Sequence, residues 1–419
     1  MLVNASRVLH LNPTAASMAY LSLEHVPEER AIQLMSRAYH VTKPQLKSDY
    51  ASFSGQLSEL LRPDGACPIH DLDLEVTAPF SAQPSAPYRM DLAITYRCNN
   101  DCAHCYNERP RDYEEVSTET WKTILDRIWQ IGIPHVVFTG GEPTLRQDLP
   151  ELIAHAEKNG QVTGLNTNGR RLGDPDYVKS LVEAGLDHVQ ITVESHDPLV
   201  HDRMVCAKGA WRQTVAGLKN FLKTKLYVMT NTTMLRANSP YLAQTLDFLA
   251  ELGVPTVGLN ALIYSGKGAT VGSGLHEAEL SEILGMARQH TEDHQQRLIW
   301  YTPTEYCHFD PMQLELGIKA CTAALYNMCI EPDGGVLPCQ SYYQPLGNLL
   351  RDDWSAIWNH PLAIHLRERH YTPAKCKDCV LLTECGGGCP LKLSQTTNGT
   401  GVISSSEQLW TTNITSARS

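Results

Sequence analysis

The sequence has no run approaching the roughly 20 consecutive apolar residues that a membrane-crossing helix needs. Nor does its charge gather into a long stretch of one sign. Basic residues are the minority: 35 Lys and Arg face 46 Asp and Glu, a formal net charge of -11, which argues against a general affinity for nucleic-acid phosphates. The opening residues, MLVNASRVLHLNPTAASMAYLSL, lack the basic start, apolar centre and cleavage site of a secretory signal. No nucleic-acid and no membrane partner is expected. Cysteine, by contrast, is plentiful and odd in number, at 13 of 419 residues. Without a signal for export, ligation of a metal or cluster in a cytoplasmic protein is the better expectation than disulfides.

Three regions separate by pattern. Residues 1–66 form a small unit that opens on the alternating segment SRVLHLN and continues with helical stretches at AIQLMSRAYH and SDYASFSGQLSELLR. Pro63-Asp64-Gly65 closes it with turn chemistry, and residues 67–89, rich in Pro, Ala and Ser, read as a linker. From residue 90 to 299, short apolar strands alternate with amphipathic helices. The strands are MDLAITY, HVVFTGG, VTGLNTNG, HVQITVES, YVMTNTTM and TVGLNALI, and the helices include TETWKTILDRIWQIG and YLAQTLDFLAELG. Six such units require a parallel sheet with right-handed crossovers, open or curled into a barrel, with chemistry at the C-terminal strand ends. Residues 300–419 lose the alternation, collect eight cysteines among Gly- and Pro-containing loops, and read as thin in apolar core, with a polar tail.

The first strand runs into YRCNNDCAHCYNERP, where Cys98, Cys102 and Cys105 fall at a three-then-two spacing before Tyr106. Three thiolates on one loop hold three irons of a cubane and leave the fourth open to a substrate; a zinc site completed by another cysteine or by His104 is the plainer alternative. CNNDCAHCY resembles the CxxxCxxC-aromatic loop of radical S-adenosylmethionine (SAM) enzymes, and further segments resemble that family in order. TGGEPTL resembles its GGEP motif, which implies that Gly140, Gly141 and Glu142 hold the methionine amino group of SAM. NTNGRRL resembles the third-strand segment and implies a role for Asn168. ITVES and HDRM imply Thr192 at the ribose and Arg203 at the methionine carboxylate, although relatives show Ser-Leu-Asp where this chain has Thr-Val-Glu. Adenine contacts would fall around Leu259 and Asn260.

The later cysteines form two spacings. Cys321 and Cys339 flank Gly334, and CKDCVLLTECGGGC packs Cys376, Cys379, Cys385 and Cys389 into fourteen residues. A zinc ribbon would use such a group. Together they resemble the SPASM extension of radical SAM enzymes, which carries auxiliary iron–sulfur clusters. That pattern implies one cluster on Cys321, Cys339 and Cys389, with Cys307 the expected fourth ligand, and a second on Cys376, Cys379 and Cys385. No cysteine follows Cys389, so the second lacks its usual fourth ligand; Asp378 and Glu384 are nearby. Cys67, Cys206 and Cys329 are expected to be free and buried.

VLHLNPTAA and the helices after it resemble the PqqD-like peptide-recognition element, a small winged-helix domain that binds leader peptides by strand addition. The resemblances together imply a partial (β/α)6 radical SAM barrel between a leader-binding domain and a SPASM extension. The implied cofactors are a [4Fe–4S] cluster, SAM and one or two auxiliary clusters, and the implied partners are a precursor peptide and an electron donor such as flavodoxin or ferredoxin. The expected activity is oxidative thioether or carbon–carbon crosslinking of a ribosomal peptide. Action on a small cofactor precursor or a protein side chain is the alternative, and a zinc-stapled binding protein the remote one. No general base is assigned.

Overall fold

The computed structural model describes residues 2–3, 7–8, 11–60 and 84–397. The chain divides into two compact units, Met1–Ala82 and Gln83–Ser419.

In the first unit β1 (Leu2–Val3) pairs antiparallel with β2 (Arg7–Val8), and three helices follow, Pro13–Leu23, Glu28–Ala38 and Lys43–Leu60. The first helix starts where Asn12 accepts a hydrogen bond from Ala15 N at 2.8 Å with Pro13 next in line, a pairing of cap and fixed φ that favours helix entry. Met18, Ala31, Ile32, Met35, Leu46 and Tyr50 make its small core. The third helix begins at Lys43, earlier than the SDYASF segment suggests, because Pro44 in the first turn costs no hydrogen bond. The Pro-Asp-Gly turn, Cys67 and most of the expected linker lie outside the described residues.

The second unit is built on one sheet. Its strands are β3 (Arg89–Thr95), β4 (His135–Gly140), β5 (Val162–Thr167), β6 (His188–Thr192), β7 (Tyr227–Met234), β8 (Thr256–Ala261), β9 (Arg297–Trp300), β10 (Asn327–Ile330), β11 (Gly335–Leu337) and β12 (Gly347–Asn348). Their order is β12-β11-β10-β3-β4-β5-β6-β7-β8-β9. Neighbours from β3 to β9 are parallel, as the six alternating units demand, and form the partial barrel. Crossover helices are amphipathic: in Thr118–Ile131, Trp121, Ile124, Leu125 and Ile128 recur at helical spacing and are all buried. Each such side chain contributes roughly 1.5–3 kcal/mol on burial. Ser117 opens this helix by accepting from Thr120 N at 3.2 Å, and Gly132 closes it at φ 96°.

Two features exceed the sequence expectation. A seventh parallel strand, β9, extends the barrel beyond β8; its four residues, RLIW, are too few to show a period. At the other edge β10 pairs parallel with β3, and β11 and β12 continue antiparallel. The apolar core is therefore not thin throughout the C-terminal region. Ala324, Met328, Ile330, Val336, Leu349, Ile357, Ala363 and Leu366 belong to the same core as Met90 and Leu92, because β10 inherits the packed face that β3 presents. Beyond Leu366, Cys385 is the single buried apolar side chain among the described residues. No helix of the described residues is long and apolar enough to cross a membrane.

Candidate functional site

Parallel strands buried on both faces sort their side chains by alternation. Val136 and Phe138, Leu165, Val189 and Ile191, and Val257 and Leu259 pack into the core. The intervening residues are polar. Thr139, Asn166, Gln190, Thr192, Asn231, Thr233 and Asn260 line a cavity of about 600 Å³ toward the C-terminal ends of β4–β8. A polar interior in a chain with ample apolar residues points to a ligand with hydrogen-bonding groups. Asn231 Oδ1 is buried with no protein partner and belongs to this lining, as does His104 Nδ1.

The loop after β3 delivers Cys98, Cys102, Cys105 and Tyr106 to the same cavity. Backbone bonds clamp it: Asp101 N donates to Val205 O at 3.0 Å, Ala103 N to Met204 O at 3.1 Å, and Gly268 N to Cys105 O at 3.1 Å. Asp101 takes Arg111 and Lys267, each at 2.7 Å. Burial pushes the Cys98 thiol up to about 11 and the Cys102 thiol well above its ordinary value. Buried thiols of that kind ionise when a metal replaces the proton, and three soft donors on one loop fit three irons of a cluster. The donor set thus fits the group that the sequence implies.

The residues expected to hold SAM divide. Thr192 and Asn168 line the cavity, as do Gly140 and Gly141. The glycines also answer to a constraint within the chain. A Cβ on Gly140 would stand 2.1 Å from Thr95 O, and one on Gly141 2.5 Å from Tyr96 O and Arg97 O. They permit a close approach to the end of β3, which seats the cysteine loop. Glu142 is fully buried and absent from the cavity lining. Its Oε1 accepts from Thr144 N at 3.1 Å, Thr144 Oγ1 at 2.6 Å and Thr167 Oγ1 at 2.7 Å, and its Oε2 from Asn168 N at 2.7 Å. Its carboxylate ties β4 to β5, with three donors on Oε1 and one on Oε2. Asn168 in turn donates to Asn99 Oδ1 at 2.6 Å, so the TNG segment braces the cysteine loop. Arg203 lies exposed on the helix Pro198–Met204, outside the lining, because the helix turns it to solvent. Asn260 lines the cavity, while Leu259 is core.

One pair escaped the motif reading. His104, inside the cysteine loop, bonds Glu194 at 3.0 Å, and both line the cavity almost without exposure to solvent. Burial would lower the ring's proton affinity, but the Glu194 carboxylate reverses this and holds it above the ordinary histidine value. Glu194 Oε2 accepts from Thr233 N at 2.9 Å, fixing the carboxylate across β6 and β7. The signal was available: a histidine between two cysteines of the loop motif, and Glu where relatives show Asp. Tyr106 donates to Gln340 Oε1 at 3.1 Å, linking the loop to the C-terminal region.

There the cysteines form two groups. Burial raises Cys321, with Cys389 and Cys339 the next contributors, and raises Cys339 to about 12 with Cys389 close by. Cys389 also lines the cavity. Cys385 and Cys389 serve opposite groups because Gly386, Gly387 and Gly388 reverse the chain with φ of 63°, 78° and 83°, a run that only glycine adopts without strain. Cys307, expected as a ligand beside Cys321, lies against Lys375, the residue before Cys376, at 3.9 Å. Cys329 is buried as anticipated, whereas Cys206 is exposed at a left-handed turn with φ 51°.

Comparison with known proteins agrees with this geometry. Residues 92–249 match the model of the radical SAM superfamily, and residues 321–380 match SPASM, an iron–sulfur cluster-binding domain. Fe-coproporphyrin III synthase of Methanosarcina barkeri is 34% identical over 179 residues, 42% of this chain and 44% of that protein, so less than half of the relative is spanned. Among solved structures, Streptococcus suis SuiB bound to its precursor peptide SuiA matches 92% of this chain and 91% of its own, with TM-score 0.66 and 17% identity. Native anSMEcpe with bound AdoMet matches 72% and 88%, with TM-score 0.59 and 17% identity. At those identities the likeness is one of fold.

Proposed function

We propose, from the premise that this chain is an enzyme of the radical SAM superfamily with a SPASM domain, that it modifies a ribosomally synthesised precursor peptide. Its cofactors are a [4Fe–4S] cluster, SAM and auxiliary iron–sulfur clusters. The observation that carries the reading is a single cavity lined both by the three-cysteine loop and by Cys389 of the C-terminal group. When bound, the cluster and SAM supply a 5′-deoxyadenosyl radical that takes a hydrogen atom from the substrate. Cys98, Cys102 and Cys105 hold the cluster, and the amide and hydroxyl side chains of Asn166, Gln190, Thr192, Asn231 and Asn260 orient the polar ligands. Leu262 and Leu275, which share the lining, keep water from the reacting carbon. Cys389 lies on the same cavity and would hold an auxiliary cluster there, whose chemistry when bound would be that of an electron acceptor. A thioether or carbon–carbon crosslink is the product class that needs such a sink. Residues 1–66 serve as the leader-binding domain, a reading supported by their separate core. Flavodoxin or ferredoxin is the expected electron donor.

The test is anaerobic co-expression with short open reading frames encoded beside the gene, followed by intact-mass analysis. A loss of two hydrogens per site, absent when Cys98, Cys102 and Cys105 are replaced by Ala, supports the proposal. An unchanged mass, with no deuterium incorporated in deuterated water, overturns it. The second reading, a small-molecule cofactor precursor, is favoured by the identity to the coproporphyrin enzyme. It predicts turnover of an iron-loaded porphyrin carboxylate by the chain lacking residues 1–66.

A further inference from the structure

The spacing Cys376-x2-Cys379-x5-Cys385 brings three thiols together and leaves a cubane one donor short. In the structure, the loop that follows β9 folds over this stretch. Tyr306 N donates to Cys385 Sγ at 3.3 Å, and Cys385 Sγ points back to Thr304 O at 3.6 Å, which fastens the loop to the turn of helix that carries Cys385. The next residue is Cys307. Its Sγ lies 3.9 Å from Lys375 Nζ, and Lys375 leads directly into Cys376. Lys375 also pairs with Glu305 at 3.2 Å, so the loop is held to both ends of the Cys376–Cys385 stretch. The donor atoms of Glu305, Cys307 and His308 all lie within 4.8 Å of one another, a ligand-like grouping outside the barrel site.

We propose that Cys307 is the fourth ligand of the second auxiliary cluster, joining Cys376, Cys379 and Cys385 from upstream in the chain. Donor chemistry selects it from the trio. Glu305 is engaged by Lys375 and His308, and His308 by Glu277 at 3.1 Å. A thiolate matches the softness of an iron–sulfur cubane better than a carboxylate does. Asp378 and Glu384, the sequence neighbours of the three cysteines, are then not needed. The same assignment withdraws Cys307 from Cys321, Cys339 and Cys389, which keep three thiols among the described residues. The inference rests on iron–sulfur clusters, not zinc, filling the C-terminal sites.

The test uses the full chain with Cys98, Cys102 and Cys105 replaced by Ala, which removes the barrel cluster and leaves the auxiliary ones. It is reconstituted anaerobically and read by iron and sulfide content and by electron paramagnetic resonance (EPR). Relative to that background, whose first group already has only three thiols, Cys307→Ala is expected to lose about one further iron per chain on mild oxidation and to add a second three-iron signal, the behaviour of a [4Fe–4S] cluster short of one thiolate. Cys307→Ser, which keeps an oxygen donor, is expected to retain the iron with shifted g values, and this separates ligand loss from misfolding. The Cys307→Ala effect should persist when Cys339 is also replaced by Ala and vanish when Cys376 is. The reverse pattern would return Cys307 to the first group and overturn the proposal. Spectra and iron content unchanged by Cys307→Ala would overturn it as well. A background chain carrying zinc and no sulfide would instead sink the cluster premise, a result distinct from either.

Discussion

Residues 324–366 and residues 374–397 follow one another in the C-terminal region, yet they are held by different forces. The first stretch enters the main apolar core through Met328, Ile330, Val336, Leu349, Ile357 and Leu366 and extends the barrel sheet through β10. The second offers Cys385 as its one buried apolar side chain and leaves Val380 91% exposed. It has turns, three left-handed glycines and four cysteines in place of a core. A region rich in cysteine is not uniformly dependent on metal. The part that packs on a neighbour's sheet can stand by apolar burial alone.

The largest expected effect breaks this comparison directly. Stripping iron by anaerobic chelation should raise amide hydrogen exchange in 374–397 by about 100-fold or more, while amides of β10 and β11 keep the protection of the barrel. Equal loss in both stretches would show that one cooperative unit spans them. Next, Ile330→Ala removes a fully buried side chain from β10 and should cost about 2–5 kcal/mol in iron-loaded and iron-free protein alike. Chemical denaturation of both forms measures this, and a cost confined to the loaded form would contradict it. Glu142→Gln puts an NH2 group where four donors converge and should cost about 3 kcal/mol. Because Asn168 carries that strain to the cysteine loop, the apparent affinity for SAM should fall with it, whereas a direct ammonium contact would weaken SAM binding without lowering the melting temperature.

Acid supplies the smallest and most selective test, since it acts on the barrel rather than on the cysteine-held stretch. His135 and His188 face each other at 2.9 Å on β4 and β6. Burial, aided by the neighbouring ring and Arg89, lowers His135 to about 2, and burial with Arg89 lowers His188 to about 4. The unfolded chain takes up protons at these rings near pH 6.5, while the folded barrel does not, so the unfolded state binds more protons below that pH. Stability should therefore fall as pH drops from 6.5 towards 4, by on the order of 2 kcal/mol per ring at pH 5. Melting curves of His135→Gln/His188→Gln between pH 7 and 5 should be flatter than those of the natural chain, and parallel curves would remove the pair from the account.

The same contrast explains what the sequence made legible. Strands β3–β8 were readable because each is a long enough apolar run between helices of clear period, and the cysteine loop was readable because ligand spacing is local. β9 and β10 were not, since four residues carry no period and their identity as strands depends on edges supplied by β8 and β3. Glu142 illustrates a subtler limit. Its place after two glycines suggested a ligand contact; that it also takes four donors from residues 2 to 26 positions away is visible only once β4 and β5 are adjacent. Cys307 meets the same limit: its place against Lys375 comes from the fold and is not legible from its distance to Cys321 along the chain.

The pairing of β10 with β3 also sets a timetable. Asn327 meets Arg89 across the sheet, so the outer edge of the barrel's first strand has no partner until more than two hundred further residues have left the ribosome. At about 5–20 residues per second that interval is roughly 10–50 s, during which an apolar parallel strand stands with its N–H and C=O groups unpaired. Yield of folded enzyme should therefore respond to translation rate and chaperone supply as well as to iron, and the window closes when β10 arrives.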